Sequence, residues 1–358
     1  IMNNTKNIIS LDEMKSFMTR ALVSVGSDPQ HAAQLAELLV TADYRGHFSH
    51  GLNRLDLYIY EIKSKIARSH GNPIILKEST ATAWVDGNNL LGPVVGMFCM
   101  DLAINKAKQC GIGMVSVKGS NHFGIAGYYS MMALKHDLLG MSFTNATPIV
   151  VPTRAKHPSI GTNPISVAAP ALNGDSYVLD MATTAVAKGK LEIQDRKGEP
   201  IPEGWAIDRN GQPLDKMDNF YALLPLGGSE KSSGYKGYGL SMMVELMCGV
   251  LSGGLYGPTI REHSTSMEPM NLSHCFIAIN PAYFAPGFEG RLENLLDMCR
   301  NQEPVDGQLD VMVAGDPERQ HIQLCDSLGG IPYHIKQVEF AFQIADSLGI
   351  NRPLVIEK

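Results

Sequence analysis

No Gly-x-Gly-x-x-Gly occurs anywhere in the 358 residues, so the usual fingerprint of a dinucleotide-binding Rossmann turn cannot be invoked. The Walker spacing of a phosphate-binding loop is missing as well. Gly-x-Ser-x-Gly is also absent, which weakens a Ser-His-Asp hydrolase reading despite the available Ser49, His122 and Asp180. The six cysteines, Cys99, Cys110, Cys248, Cys275, Cys299 and Cys325, are scattered, and no two have the close spacing of a structural zinc site. Free, buried thiols are expected, as in a reducing compartment. No cluster of Lys and Arg appears and the formal charge is −6, which excludes the basic surface that nucleic acids and anionic membranes require. The most apolar stretches, such as Leu90 to Met100, are short and interrupted by Gly and Pro, so no bilayer span is expected. Near the start, Asp12 and Glu13 follow Ile8-Ile9, so a signal-peptide core is not expected and the cytoplasm is the predicted location.

What remains is ordinary globular composition, with 44% apolar and 18% charged residues. A chain of 358 residues exceeds the size at which one core usually stops growing, so two lobes with a ligand cleft between them are predicted. Ser10 and Glu13 form a capping box ahead of Leu11, Met14, Met18, Leu22 and Val25 at helical spacing, ended by Gly26. Asp28-Pro29 restarts a second helix with Leu35, Leu38 and Leu39 on its apolar face. From Ala81 the pattern alternates: a strand over Ala81–Val85, a turn at Asp86-Gly87, a helix over Val94–Cys110, then Met114–Val117, Ile125–His136 and Leu139–Thr144. That alternation predicts an α/β sheet. The polar stretch from Lys190 to Pro225 reads as exposed loops or hairpins. Gly237–Leu251, Leu292–Met298, Pro317–Leu328 and Gln337–Leu348 read as helices.

Four constellations could carry chemistry. In Gly46-His47-Phe48-Ser49-His50-Gly51-Leu52-Asn53-Arg54, followed by Tyr58, a helix from Gly51 onward would put His50, Arg54 and Tyr58 on one face, a carboxylate pocket. The alternatives are a helix cap with a surface cation, or His47 and His50 as metal ligands without a supporting acidic or cysteine cluster. Gly119-Ser120-Asn121-His122-Phe123-Gly124 follows a predicted strand, where α/β enzymes place catalytic side chains, and a histidine there exchanges protons near neutral pH. A satisfied structural histidine fits the same residues. Asp180, closing the run Val178-Leu179, could orient a catalytic histidine or cap the next helix. Lys236-Gly237, at the start of an apolar helix, forms a phosphate site or a plain helix start with a solvated lysine.

Taken together, Ser49-His50-Gly51 with Arg54, Ser120-Asn121-His122-Phe123-Gly124, Thr144-Asn145, Gly161-Thr162-Asn163-Pro164, Leu179-Asp180-Met181-Ala182-Thr183, Lys236-Gly237-Tyr238-Gly239-Leu240 and Gly315-Asp316-Pro317-Glu318 carry a resemblance. In that order and over nearly the whole chain they resemble the malate/L-lactate dehydrogenase family of the second type, with its ureidoglycolate, sulfolactate and diketogulonate oxidoreductases. The resemblance implies a non-Rossmann nicotinamide-binding α/β fold with a helical N-terminal segment. It implies a substrate-side domain made of residues 1–121 with 300–358, and a cofactor-binding domain at 122–299. It implies a homodimer that moves hydride between NAD, or NADP, and a small 2-hydroxy acid, malate first, without a metal. Lactate, ureidoglycolate, keto-sugar acids and cyclic imine acids are the alternative substrates. On the same basis His122, with His50 second, is the proton carrier, assisted by Asp180; Arg54 holds the substrate carboxylate, with Ser49 and Tyr58. Thr144, Asn145, Gly161, Thr162, Asn163, Asp180, Met181, Ala182, Lys236, Gly237 and Gly315 are the implied cofactor contacts. This chain carries Ala146 where many relatives have a small hydroxyl residue, and Gly315-Asp316-Pro317 where Pro-Gly-Glu is usual.

Overall fold

The first helix, α1 (Leu11–Ser24), begins as its capping residues dictate, with the Ser10 hydroxyl accepting from the Glu13 amide. The computed structural model describes residues 7–261 and 268–356. Asp28 caps α2 (Pro29–Tyr44), which packs beside α1 before two short 3₁₀ turns, Phe48–His50 and Leu52–Arg54, lead into α3 (Leu55–Lys63). Strand β1 (Ile8–Ile9) precedes α1; β2 (Ile74–Glu78) and β3 (Thr82–Asp86) follow α3. Next come α4 (Gly92–Cys110), β4 (Ile112–Ser120), α5 (Ala126–Met132) and β5 (Leu139–Thr144). Then β6 (Ile165–Pro170), β7 (Ser176–Met181), α6 (Lys188–Lys197), β8 (Ala206–Ile207), β9 (Ala222–Leu223) and α7 (Gly234–Glu245) run in sequence. The chain closes with β10 (Leu272–Ile279), α8 (Phe288–Arg300), α9 (Asp316–Leu328), β11 (Ile331–Pro332) and α10 (Ile335–Leu348).

Among the described residues, seven strands form one sheet in the order β2-β3-β4-β10-β5-β6-β7. Only β3 and β4 run parallel, joined by the crossover helix α4, and every other neighbouring pair is antiparallel. The predicted α/β class therefore holds, with a mixed sheet rather than a doubly wound parallel one. Strand β10 shows why both faces are covered. Its alternate residues Phe276 and Ala278 join the main core with α4, α1, α2 and α10, while Cys275 packs with Val244 and Cys248 of the α7 segment. A fully buried side chain of this kind contributes about 1.5–3 kcal/mol over an exposed one. The strand ends at Ser120 and Thr144 are thus anchored by the core and not by the loops they launch. The sheet draws strands from both 1–121 and 122–299, and the main core joins Ile9–Leu138 to Val338–Ala345.

Two readings of the sequence change. The stretch 190–225 does hold loops and the short β8–β9 pair, but it opens inside a helix, α6, stopped by Gly198 at a positive φ of 69°. That helix has no apolar stripe; Leu191 is buried with Val150 and Ile160 in a satellite core. The helix expected over Gly237–Leu251 starts earlier and continues past α7 as a π-helical turn, Leu246–Val250. All six cysteines are free; four are buried, and Cys299 is exposed. No helix among the described residues is long and apolar enough to cross a membrane.

Candidate active site

Strand β4 delivers Ser120 to the sheet edge, and the loop after it carries Asn121, His122 and Phe123 into α5. The loop is tightly held. Asn121 is fully buried and its amide donates to the Asn89 carbonyl, the Asn89 side chain and the Leu90 carbonyl. The start of α4 presses on the same loop, so that a Cβ on Gly92 would overlap the His122 carbonyl. The Tyr129 hydroxyl donates to the Phe123 carbonyl. His122 is therefore presented on a loop pinned on three sides.

Tyr58, from α3, is fully buried and meets His122 twice, its hydroxyl lying 2.7 Å from Nδ1 and 3.3 Å from the carbonyl oxygen. Burial pushes its phenol well above the ordinary range, so it stays protonated. The His50 ring stacks on His122 with centroids 5.8 Å apart and an interplanar angle of 20°. Burial, reinforced by Arg54 and His47, pulls the His50 imidazole down to about 4. Its Nδ1 lies 2.9 Å from the Ser49 hydroxyl. Arg54 is exposed; its Nε donates to the Ser49 carbonyl at 2.9 Å, and neither Nη group has a hydrogen bond among the described residues. The predicted helix from Gly51 does not form: Gly51, at φ −100° and ψ −129°, separates two 3₁₀ turns, and α3 starts only at Leu55. His50 and Tyr58 still converge, but on the His122 ring, and Arg54 stands at the rim.

Asp180, at the end of β7, accepts from the Gly127 amide at 2.7 Å and so holds the first turn of α5, the helix that follows the His122 loop. Burial raises its carboxyl against the opposing effects of His47, the Gly127 amide and Arg45. Gly315 is its neighbour through β7: the Val178 amide donates to the Ala314 carbonyl, and Gly315 takes a φ of 102° at the start of α9. An ion-pair network fixes that turn, with Arg300 bridging Asp175 at 2.6 Å and Asp316 at 2.9 Å, joined by Arg319. Met181 and Ala182 continue from Asp180, half-buried.

The remaining residues form a buried hydrogen-bonded frame. Asn163 donates to Glu245 at 2.9 Å and accepts from the Ala146 amide; Asn145 donates to the Leu255 carbonyl and accepts from the Ser273 amide. Thr144 bonds the Asn145 carbonyl, and Thr183 bonds the Thr162 and Asn163 carbonyls. The Asn145 and Asn163 side chains are thus committed to the protein, and what they offer a ligand is a shaped backbone. Gly161 is required here, since a Cβ would collide with the Ala146 carbonyl. Gly237 lets α7 press against the Leu226 backbone, and Lys236 is exposed in the first turn. The Thr147 hydroxyl, beside Ala146, is buried with no hydrogen-bond partner among the described residues. An unsatisfied hydroxyl, glycine-bordered strand ends and an exposed lysine fit a dinucleotide. No group of three or more potential metal ligands occurs among the described residues.

Sequence reasoning missed His274. It is fully buried on β10, with Nδ1 2.7 Å from the Thr144 hydroxyl, Nε2 2.7 Å from the Ser120 hydroxyl, and its ring stacked on Phe123 at 4.6 Å. It ties three strand ends together beneath the His122 loop. The only signal was the Ser273-His274 pair inside the otherwise apolar run Leu272–Ile279. Burial pulls its imidazole down to about 3. Since the unfolded chain binds this proton below about 6.5, the stability that His274 contributes is complete above that pH and is lost on acidification. The unfolding free-energy gap between wild type and His274→Leu should therefore narrow from pH 6.5 to pH 4, by roughly 1.4 kcal/mol per pH unit at most. A constant gap would mean that the imidazole is not held neutral.

The family described as malate/L-lactate dehydrogenase matches residues 9–340. The chain is 40% identical to a malate dehydrogenase of Pyrococcus abyssi over 349 residues, 96% of this chain and 95% of that one. It is 38% identical to a malate/(S)-sulfolactate dehydrogenase of Methanothermus fervidus, over 96% of this chain and 99% of that one. The solved structure of malate dehydrogenase from Pyrococcus horikoshii superposes with a TM-score of 0.89 at 35% identity, covering 98% of each chain.

Proposed function

The chain belongs to the malate/L-lactate dehydrogenase family, and from that footing we propose that it interconverts malate and oxaloacetate with NAD as hydride carrier. As a member of the family it is a nicotinamide-dependent oxidoreductase of small 2-hydroxy acids. The observation that carries the reading is the exposed Arg54, its two Nη groups uncommitted, at the rim of a half-buried imidazole pair. Arg54 takes the carboxylate at C1 through two parallel hydrogen bonds. Bound nicotinamide supplies the C4 position that accepts the C2 hydride. Tyr58 sets the state of His122: its single hydrogen has two contacts to serve. With His122 Nδ1–H donating to the phenolic oxygen and the phenol donating to the His122 carbonyl, both contacts are served, and in that tautomer the imidazole is the base that takes the substrate hydroxyl proton. His50, held neutral, packs against that ring and, with Ser49, lines the acid-binding side. Asp180 acts at one remove, keeping the α5 start and with it the His122 loop in place.

Residues 1–121 with 300–358 form the substrate side of this arrangement and 122–299 the cofactor side, with Thr147 and Lys236 facing the dinucleotide. NAD is proposed as the carrier in place of NADP, and the comparison of the two reduced cofactors below tests that choice. The enzyme works as a cytoplasmic homodimer: the α7 segment exposes Met242, Met243, Leu246 and Val250 along one face, an apolar stripe suited to a second copy. Initial rates with NADH and NADPH against oxaloacetate, pyruvate, 3-sulfopyruvate and keto-sugar acids test the assignment. Fastest oxidation of NADH by oxaloacetate is expected. Preference for another acid removes malate, and no turnover with any keto acid removes the whole reading. Sedimentation of the same preparation at the mass of one chain would remove the dimer.

A further inference from the structure

Residues 45–54 leave α2, loop outward and return onto the last turn of the same helix. The return point is Asp43. It is fully buried, and its Oδ2 accepts from the Leu52 amide at 2.9 Å and from the Tyr333 hydroxyl at 2.8 Å. Gly51 lies so close that a Cβ there would overlap the carboxylate. Leu52 opens the second of the two 3₁₀ turns, the first ending at His50 and the second at Arg54, with Gly51 between them. Phe48, in the first turn, is bracketed edge-on by Tyr333 and His321 from the C-terminal part of the chain. The loop thus has a buried midpoint on Asp43 and presents Ser49, His50 and Arg54 on its outer side.

We propose that Asp43 is a positioning residue for substrate: by holding the Leu52 amide it sets where Arg54 and His50 stand relative to His122. The functional half of this rests on the 2-hydroxy acid reading; the structural half does not. Asp43 touches neither substrate nor cofactor. Its effect passes through the backbone, because Gly51 and Leu52 sit between the two side chains that face the acid. Tyr333 adds a tie to β11, so the C-terminal segment braces the same point. One acceptor oxygen serves both bonds, while Oδ1 is buried with no hydrogen-bond partner among the described residues. Burial pushes the carboxyl up to about 7 against those two bonds, and Oδ2 accepts in either charge state. An amide oxygen can therefore replace it.

Asp43→Ala should raise the KM for keto acid by about 10–100-fold, the effect of losing a hydrogen bond to a charged group, with the dissociation constant of the reduced cofactor, read by its fluorescence, changed less than twofold. Asp43→Asn should restore most of the loss. Gly51→Ala, which keeps Asp43 but forces the loop off it, should reproduce the alanine phenotype, and it serves where Asp43→Ala does not fold. Amide exchange provides the readout that needs no turnover: Leu52 should be protected in wild type and lose protection in Asp43→Ala and Gly51→Ala, while β4 and α10 amides keep theirs. An unchanged KM in both variants, a failure of asparagine to rescue, or a Leu52 amide that stays protected overturns the proposal. If wild type turns over no keto acid, the acid-oxidoreductase reading fails, and the Leu52 exchange alone decides whether Asp43 holds the loop.

Discussion

His122→Asn is expected to lower turnover by about 10²–10⁴-fold, the range for losing a positioned acid-base group, while NADH binds within twofold of wild type. Asparagine keeps a polar side chain near Tyr58 but has no nitrogen that gains and loses a proton near neutral pH. The separation between turnover and cofactor binding follows from the fold: the His122 loop is held by Asn121, Gly92 and Tyr129, not by the frame of Asn145, Asn163 and Glu245. The pH profile distinguishes the two imidazoles. A base must be unprotonated, and His50 is unprotonated above about 4, so a profile governed by His50 would stay flat down to about pH 5. An inflection closer to neutrality that disappears in His122→Asn assigns the proton to His122. Full turnover in that variant would transfer the role to His50.

Arg54→Ala should raise the KM for the acid by about 10–100-fold, or roughly 1.5–3 kcal/mol, with a smaller effect on kcat. The lower part of the charge-pair range is appropriate because the guanidinium is exposed and water screens it. Arg54→Lys should recover only part of the loss, since an ammonium cannot offer the two parallel bonds of the guanidinium. Thermal stability should hardly move, as the single described bond of Arg54 is to the Ser49 carbonyl. An unchanged KM with both variants would place the carboxylate elsewhere. The contrast with Asp43→Ala is instructive, because there the cation is intact and only its station is lost.

Local signals suffice where one interaction decides the outcome. The Ser10 and Asp28 caps start α1 and α2 where the spacing predicts, because a cap is a contact within three residues. Strand β5 falls on Leu139–Thr144 as predicted, and α9 and α10 begin within two residues of expectation. Strand β2, exposed along its whole length, has no alternation to reveal it, and α6 has no stripe. For the site, Ser49, His50, Arg54, Tyr58 and His122 were legible as residue types in motifs, yet their mutual arrangement was not. A continuous helix was the simplest local geometry for His50 to Tyr58, and Gly51 breaks it because a buried carboxylate eight residues earlier in the chain claims the Leu52 amide.

The sequence by itself determined the helical start, the α/β class, the family and the identities of the groups able to bind an acid and move a proton, since those rest on local spacing and on side-chain chemistry. Only the tertiary structure decided that Tyr58 speaks to His122, that His274 and Asp43 support the site from below, and that Asn145 and Asn163 are frame instead of open contacts. Those outcomes depend on hydrogen bonds between residues 9 to 290 positions apart, and no periodicity along the chain records which buried donor finds which acceptor.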